Sequence, residues 1–297
     1  MNVVDFENIH RSYQRGADIL NGVTFNIEAG RVVGLVGKNG AGKTTLLRIA
    51  MGMLEAQQGS VRLFGLDPRR EPLEVKRRVG FVSEDQILPP FMKVEQILDL
   101  HRGLFPTWDE SIVHDLIDRF GIPTQTKIKA LSKGQARQVA LLCAVAHRPE
   151  LLLLDEPAAG LDPAARREFL ETSIQLLNET GSTILFSSHY MSDVERLADR
   201  IVMLHEGRVL IDSELDELRE HYSLALVPHN GGTSRATLAA LDSCLGIRER
   251  SDALHAVFSL EPESAARLLG SELGITDSLC SRIALEDMFV ELAGGQQ

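Results

Sequence analysis

The sequence is short of basic charge. Its 31 lysines and arginines face 42 aspartates and glutamates, giving a net charge of −11 and an isoelectric point near 5.3. It therefore lacks the positive field by which general nucleic-acid binders attract phosphate backbones. Cysteine is scarce as well: Cys143, Cys244 and Cys280 lie far apart and match no metal-binding spacing, which leaves them as small buried or half-buried residues in a reducing compartment. No apolar run approaches the roughly 20 residues that cross a bilayer. The opening MNVVDFENIH carries acids where a secretion signal carries bases. The expectation is a cytoplasmic chain that reaches any membrane only through a partner. Its 297 residues have room for one large domain and a small one.

What is present centres on residues 37–44, GKNGAGKT. The stretch fits G-x-x-x-x-G-K-[ST], follows the apolar run Val32–Val36, and leads into a helical pattern through Thr45, Leu46, Leu47 and Ile49. Strand, glycine loop and helix in that order make a phosphate cradle. Gly37, Gly40 and Gly42, with Asn39 and Ala41 among them, let successive backbone N–H groups turn inward, where the helix N-terminus also attracts anions. Lys43 is placed to reach the β- and γ-phosphates, and Thr44 to offer its hydroxyl to Mg²⁺. A nucleoside-triphosphate site is expected.

Before the loop, Val23, Phe25 and Ile27 alternate with Thr24 and Asn26 as a half-buried strand does. Tyr13 precedes them, placed either to pack in the sheet or to lend its ring face to a base. After the loop, 61–64 and 79–82 read as strands, the second ending at Ser83-Glu84-Asp85-Gln86. Val94, Ile97, Leu98 and His101 fall at i, i+3, i+4 and i+7, as do Val113, Leu116, Ile117 and Phe120, so two amphipathic helices interrupt the strand pattern as an inserted subdomain. Thr107 with Glu110 predicts a capping box at the start of the second helix, and Gly121 its end. Pro89-Pro90-Phe91 reads as a turn or as an exposed contact for a partner.

In Leu131-Ser132-Lys133-Gly134-Gln135, Ser132 and Gln135 have capping-box spacing. That is either a plain helix start or a second anion site, where the serine hydroxyl, the Gly134 N–H and the helix dipole converge. The four leucines 151–154 describe a strand covered on both faces, with Asp155 and Glu156 emerging at its C-terminal end, where ligands sit in open α/β sheets. There Asp155 would hold Mg²⁺ and Glu156 would accept a proton from the attacking water. Asp162-Pro163 predicts a helix start, with the helix running to about Asn178 and stopping near Gly181. Residues 183–186 predict a strand leading to Ser187-Ser188-His189, a polar strand end or a γ-phosphate contact. Residues 201–204 and 209–211 predict a hairpin about Glu206-Gly207.

Taken in order, GKNGAGKT, LSKGQ, LLLLDEP, AGLD at 159–162 and SSH resemble the nucleotide-binding subunit of ATP-binding cassette (ABC) transporters. The resemblance covers the chain to about Asp212. It implies an α/β fold: a P-loop NTPase core of mainly parallel sheet, with an N-terminal antiparallel β part and a helical subdomain at about 86–147, in an ATPase domain at 1–212. A small C-terminal α+β appendage would occupy 213–297. ATP and Mg²⁺ are the implied cofactors. The implied assembly is head-to-tail, with a second copy or a homologous ATPase subunit, each ATP lying between one chain's P-loop and the other's LSKGQ.

By motif position, the resemblance implies that Tyr13 stacks on adenine and that Gly37, Asn39, Gly40, Ala41, Gly42, Lys43, Thr44 and Thr45 bind phosphate and Mg²⁺. Ser132 and Gly134, with Gln135 beside them, meet the γ-phosphate in trans. Thr44, Glu84 and Asp155 serve the metal. Glu156 is the general base, His189 and Lys43 contact the γ-phosphate, and Asp162 helps couple the two sites. Separately encoded membrane permease subunits are implied, contacted through the helical subdomain and the Glu84 loop, so that the chain works at the inner face of the cell membrane; no nucleic-acid partner is expected. The stretches FPTWD at 105–109 and ALEDMF at 284–289 are similar to bacterial exporters that use type-2 permeases, although Trp108 also reads as a packing residue beside a helix cap.

The sequence departs from the commonest family pattern at Glu84, where a glutamine is usual, at Lys133 in place of a glycine, and at Gln138 in place of an arginine. None of these removes an essential chemical group, so hydrolysis is expected. The alternative is a soluble ABC ATPase acting on ribosomes or DNA, but such proteins resemble tandem cassettes or carry long coiled coils, and this chain has neither. A regulatory module that hardly turns over ATP is the third reading, opposed by the complete LSKGQ and DEP motifs. In the tail, 224–227 and 256–260 read as strands, 229–234 as a loop, and 237–245 and 264–269 as helices. Leu285, Met288, Phe289 and Leu292 form a last amphipathic face, which docks on the cassette, pairs with another tail or binds a regulator.

Overall fold

Alternation of apolar and polar residues sets the opening sheet. A computed structural model describes residues 2–14, 17–85, 88–229 and 235–294; Gln86, residues 230–234 and the side chain of Leu292, all named above, lie outside the described residues. Strands β1 (Asn2–Gln14) and β2 (Ala17–Glu28) pair antiparallel, with Phe6 opposite Phe25 and their rings 4.8 Å apart. Val23, Phe25 and Ile27 are buried while Thr24 and Asn26 face out. After β3 (Val32–Val36) the chain returns as β4 (Gln58–Leu63) on the other edge of β1.

The second sheet is made of continuous apolar runs and is buried on both faces, as parallel strands require. β5 (Val79–Val82), β6 (Leu151–Leu154), β7 (Thr183–Ser188), β3 and β8 (Arg200–His205) lie side by side in that order with parallel pairing. β9 (Arg208–Glu214) adds the edge after the two-residue turn Glu206-Gly207, whose φ values of +47° and +73° suit the twist of a tight hairpin.

Helix α1 (Lys43–Ala50) follows the glycine loop, and α2 (Pro72–Arg78) precedes β5. α3 (Val94–Leu104), α4 (Glu110–Phe120) and α5 (Lys133–Val145) follow, the first burying Val94, Ile97 and Leu98 and the second Val113 and Leu116. α6 (Pro163–Thr180) and α7 (Met191–Leu197) flank β7.

The capping box expected of Thr107 and Glu110 is not formed. α4 begins at Glu110, so Asp109 is its cap and accepts the Ser111 N–H at 2.8 Å, while Thr107 Oγ1 donates to the His147 carbonyl at 2.8 Å. The Asp109 N–H is itself held by the Ala146 carbonyl at 2.7 Å, and its carboxylate pairs with Arg148. The Ser111 hydroxyl, Arg148 and the Ser111 amide lower the Asp109 pKa to about 2. The end of α5 therefore decides where α4 starts. Gly121 closes α4 at φ +59° as expected. Close by, Phe105 stacks on the buried His147 ring at 4.1 Å, and Trp108 lies 6.4 Å from the His101 ring, within the same aromatic packing.

The chain divides into two compact units, 1–212 and 213–297. The second holds α8 (Leu215–His221), β10 (Ser223–Pro228), α9 (Arg235–Ala239), β11 (Cys244–Glu249), β12 (Ala253–Phe258), α10 (Pro262–Leu273), β13 (Leu279–Arg282) and α11 (Leu285–Gly294). Its sheet runs β11-β12-β10-β13 with every pair antiparallel, the ferredoxin-like split βαβ order.

Two tail expectations are corrected. The helix read over 237–245 ends at Ala239, because Cys244 is drawn into pairing with Phe258 and opens β11. The strand read over 256–260 spans 253–258, and Pro262 then starts α10. The helix read over 264–269 lies within α10. All three cysteines are free: Cys143 is buried, its thiol pushed up to about 12 by burial, and Cys244 and Cys280 are half-buried.

Candidate active site

Two glycines allow the 37–44 loop its shape. Gly42 is the N-cap of α1 at φ +103°, and a Cβ there would lie 2.5 Å from Leu20 Cδ2 and 2.8 Å from the Ile19 carbonyl. A Cβ on Gly37 would lie 2.6 Å from the Leu204 carbonyl. No side chain caps α1, so the amides of its first turn remain available to an anion. Buried Lys43 folds back over the loop, its Nζ 2.7 Å from the Gly37 carbonyl and 3.3 Å from Glu156 Oε1.

The ends of β6 and β7 bring the acids to the same place. Thr44 Oγ1 and Ser187 Oγ both donate to Asp155 Oδ1, at 3.0 Å and 2.9 Å, and Ser187 Oγ accepts the Glu156 N–H at 2.8 Å. Burial raises the Asp155 pKa; the Ser187 and Thr44 hydrogen bonds oppose this, and the neighbouring Glu156 charge adds to it. Its Oδ2 is buried and has no hydrogen-bond partner among the described residues. An orphaned carboxylate oxygen beside a threonine hydroxyl fits a hard cation such as Mg²⁺. No group of three or more His, Cys, Asp or Glu able to hold a metal occurs among the described residues, so phosphate oxygens would have to complete the coordination.

Glu156 adopts φ +45°, a left-handed conformation uncommon in a residue with a side chain. Its Oε2 lies 2.8 Å from His189 Nδ1, so the tautomer that serves the carboxylate carries its proton on Nδ1. A cavity of about 350 Å³ is lined by residues 39–45 together with Tyr13, Ile19, Glu84, Glu156 and His189. Tyr13 is 54% exposed, its hydroxyl 3.3 Å from Thr45 Oγ1, so it is not packed within the sheet. The cavity thus offers a ring face, a row of amides, an ammonium and two carboxylates, the groups a nucleoside triphosphate and its hydrolysis require.

Ser132, Gly134, Gln135 and Asp162 do not line this cavity. Ser132 Oγ accepts the Gln135 N–H at 3.1 Å and Gln135 Oε1 accepts the Ser132 N–H at 3.0 Å, forming the expected capping box. Asp162 Oδ1 accepts the Ala165 N–H at 3.1 Å at the start of α6. Sequence reasoning gave no part to Ser187, although its hydroxyl joins Asp155 to Glu156; the serine pair before His189, at the end of an apolar strand, was the available signal.

The chain as a whole is similar to known proteins. The family model described as ABC transporter matches residues 20–159. The chain is 38% identical over 204 residues to the ABC transporter ATP-binding protein NatA of Bacillus subtilis, covering 67% of this chain and 82% of that protein. It is 29% identical over 291 residues to the bacitracin transport ATP-binding protein BcrA of Bacillus licheniformis, covering 95% of this chain and 94% of that one. A solved structure of an ATP-binding subunit of an ABC transporter superposes with a TM-score of 0.65 at 28% identity, covering 73% of this chain and 92% of that one.

Proposed function

Starting from the membership of this chain in the ATP-binding proteins of ABC transporters, we propose that it binds ATP with Mg²⁺ over residues 37–45 and hydrolyses it from Glu156, driving export through a separately encoded permease. ATP-driven transport is the activity of the family. The observation that carries the residue-level reading is the meeting of Lys43, Asp155, Glu156 and His189 at one end of the parallel sheet.

In this reading Tyr13 takes the adenine face and the amides of 39–45 take the phosphates. Thr44, Asp155 and Glu84 would hold Mg²⁺, which when bound neutralises charge on the β- and γ-phosphates. Glu156 accepts a proton from the attacking water as the γ-phosphoryl group leaves ADP, and His189 holds the carboxylate in place. Lys43 exchanges Glu156 for phosphate oxygen. Ser132, Gly134 and Gln135 act on the ATP of a second chain, with Asp162 helping to couple the two sites.

We take 1–212 as the ATPase domain and 213–297 as an accessory domain. The likeness to the bacitracin transport protein extends over 95% of this chain, which favours transport and includes the accessory part. No helix among the described residues is long and apolar enough to cross a membrane. We place the chain at the inner membrane face, held by its permease, with Phe91, 72% exposed, among the contacts. A tagged Glu156→Gln variant captured with ATP from detergent-solubilised cells tests this reading. Recovery of a multi-span protein supports it. Ribosomal or DNA-repair components without a membrane protein would leave the ATPase chemistry and overturn the transport reading.

A further inference from the structure

Helix α5 sends an arginine into the turn that presents Glu156. Arg137 Nη1 donates to the carbonyls of Glu156 at 3.1 Å and Pro157 at 2.9 Å, and Nη2 donates to the Glu84 carbonyl at 3.2 Å. On the other side of the same residue, the Glu156 N–H donates to Ser187 Oγ at 2.8 Å. Both peptide groups flanking the Glu156 Cα are therefore held by side chains from other elements, α5 and β7. Restraint is needed here: at φ +45° a residue with a side chain stays put only where its surroundings over-determine it.

Arginine suits this task. Its planar fork presents several N–H donors in fixed directions and so serves three carbonyls on two chain segments at once; a lysine carries its charge on a single rotating head and a glutamine has only two donors. Burial of the half-buried guanidinium lowers its pKa, and the Glu84, Asp85 and Glu156 charges around it oppose that effect only in part. The sequence drew attention to Gln138, where an arginine is common. It is the guanidinium one residue earlier that reaches the turn.

We infer that Arg137 is a positioning residue for ATP hydrolysis, holding the main chain of Glu156 so that its carboxylate meets the attacking water, and tying that setting to the Glu84 loop and the LSKGQ helix. This rests on the assignment of Glu156 as the base. Arg137 does not line the cavity, so its loss should spare nucleotide binding and slow the chemical step. A small misplacement of a catalytic group is enough for a large loss of rate.

The test compares the full-length chain with Arg137→Ala, Arg137→Lys, Glu156→Gln and the Arg137→Ala/Glu156→Gln double variant, measuring the ATP dissociation constant and kcat at saturating ATP and Mg²⁺. Arg137→Ala should keep ATP affinity within about twofold and lose kcat by roughly 10- to 100-fold. Arg137→Lys should restore only part of that loss. In the Glu156→Gln background, Arg137→Ala should cost nothing further, because a residue acting through another has no effect once that other is gone.

Wild-type turnover in Arg137→Ala overturns the proposal. So does a fall in affinity as large as the fall in turnover, or a full additional loss in the double variant. Should Arg137→Ala fail to fold, Arg137→Lys decides alone: lowered kcat at retained affinity supports the role, and wild-type kcat overturns it. Undiminished hydrolysis by the single Glu156→Gln variant would instead overturn the base assignment itself, whatever Arg137→Ala does.

Discussion

Two helices of the first unit start where an anion can be met, and they start differently. α1 has Gly42 at its N-cap and no side-chain cap, its first residues lining a cavity already furnished with Lys43, Glu84 and Glu156. α5 is capped by Ser132, whose hydroxyl oxygen and backbone N–H both pair with Gln135, and this start lies outside that cavity. An uncapped helix start leaves orphan amides for a ligand to satisfy; a self-capped start is complete without one. In the proposed reading the first is a receptor within one chain. The second gives its hydroxyl to a ligand only by exchanging partners, which suits a segment recruited to a site on another chain.

The contrast can be broken from the α1 side with the largest effect. Glu156→Gln should retain ATP binding and lose turnover by about 10²- to 10⁴-fold, the usual weight of a general base. Unchanged steady-state hydrolysis would remove Glu156 from the chemistry. Lys43→Ala should act on binding itself, weakening ATP affinity by about 10- to 100-fold, as expected for a lost charged hydrogen bond. Titration with a fluorescent ATP analogue measures this, and normal affinity would undo the phosphate-loop assignment.

On the α5 side, Ser132→Ala should cost about 1 kcal/mol of stability through the lost cap. It should leave the ATP affinity of a single chain unchanged while slowing turnover. Weaker binding to the isolated chain would mean that the two helix starts serve one site in cis.

The last effect concerns pH, and it belongs to the far end of α5. Burial lowers the His147 pKa to about 4. Below its ordinary pKa of about 6.5 the unfolded chain takes up a proton that the folded chain refuses. Stability from this group is therefore undiminished above that pH, falls as the pH drops, and stops falling near 4. Urea midpoints across this range should flatten in His147→Phe, and an unaltered slope would show that other groups carry the dependence.

The features legible in the sequence were those in which backbone and chemistry need the same residues. Gly42 must take a left-handed φ where the loop meets α1, and the run 151–154 must be apolar where β6 is covered on both faces, so the loop and the acids at the strand end announced themselves. Local signals failed where a distant group decided the outcome. The Ala146 carbonyl holds the Asp109 amide and so sets which residue caps α4, and the partner strand β12 draws Cys244 and Leu245, read as the end of a helix, into the strand β11. The roles of Ser187 and Arg137 were hidden for the same reason: each is a hydrogen bond to the backbone of a residue far along the chain.

The crowding at Gly42 has a mechanical consequence. Ile19 and Leu20 of β2 are gripped from two sides, by Gly42 of the loop and by Gly207 of the β8–β9 turn, where a Cβ would come within 2.5 Å of the Ile19 carbonyl. The Gly207 carbonyl also receives the Asn21 N–H at 2.7 Å. The antiparallel sheet that carries Tyr13 is thereby bolted to the parallel sheet that carries the phosphate loop. The span between ring and cradle is a dimension of the frame, like the distance between the jaws of a fixed gauge, and a ligand is measured by it.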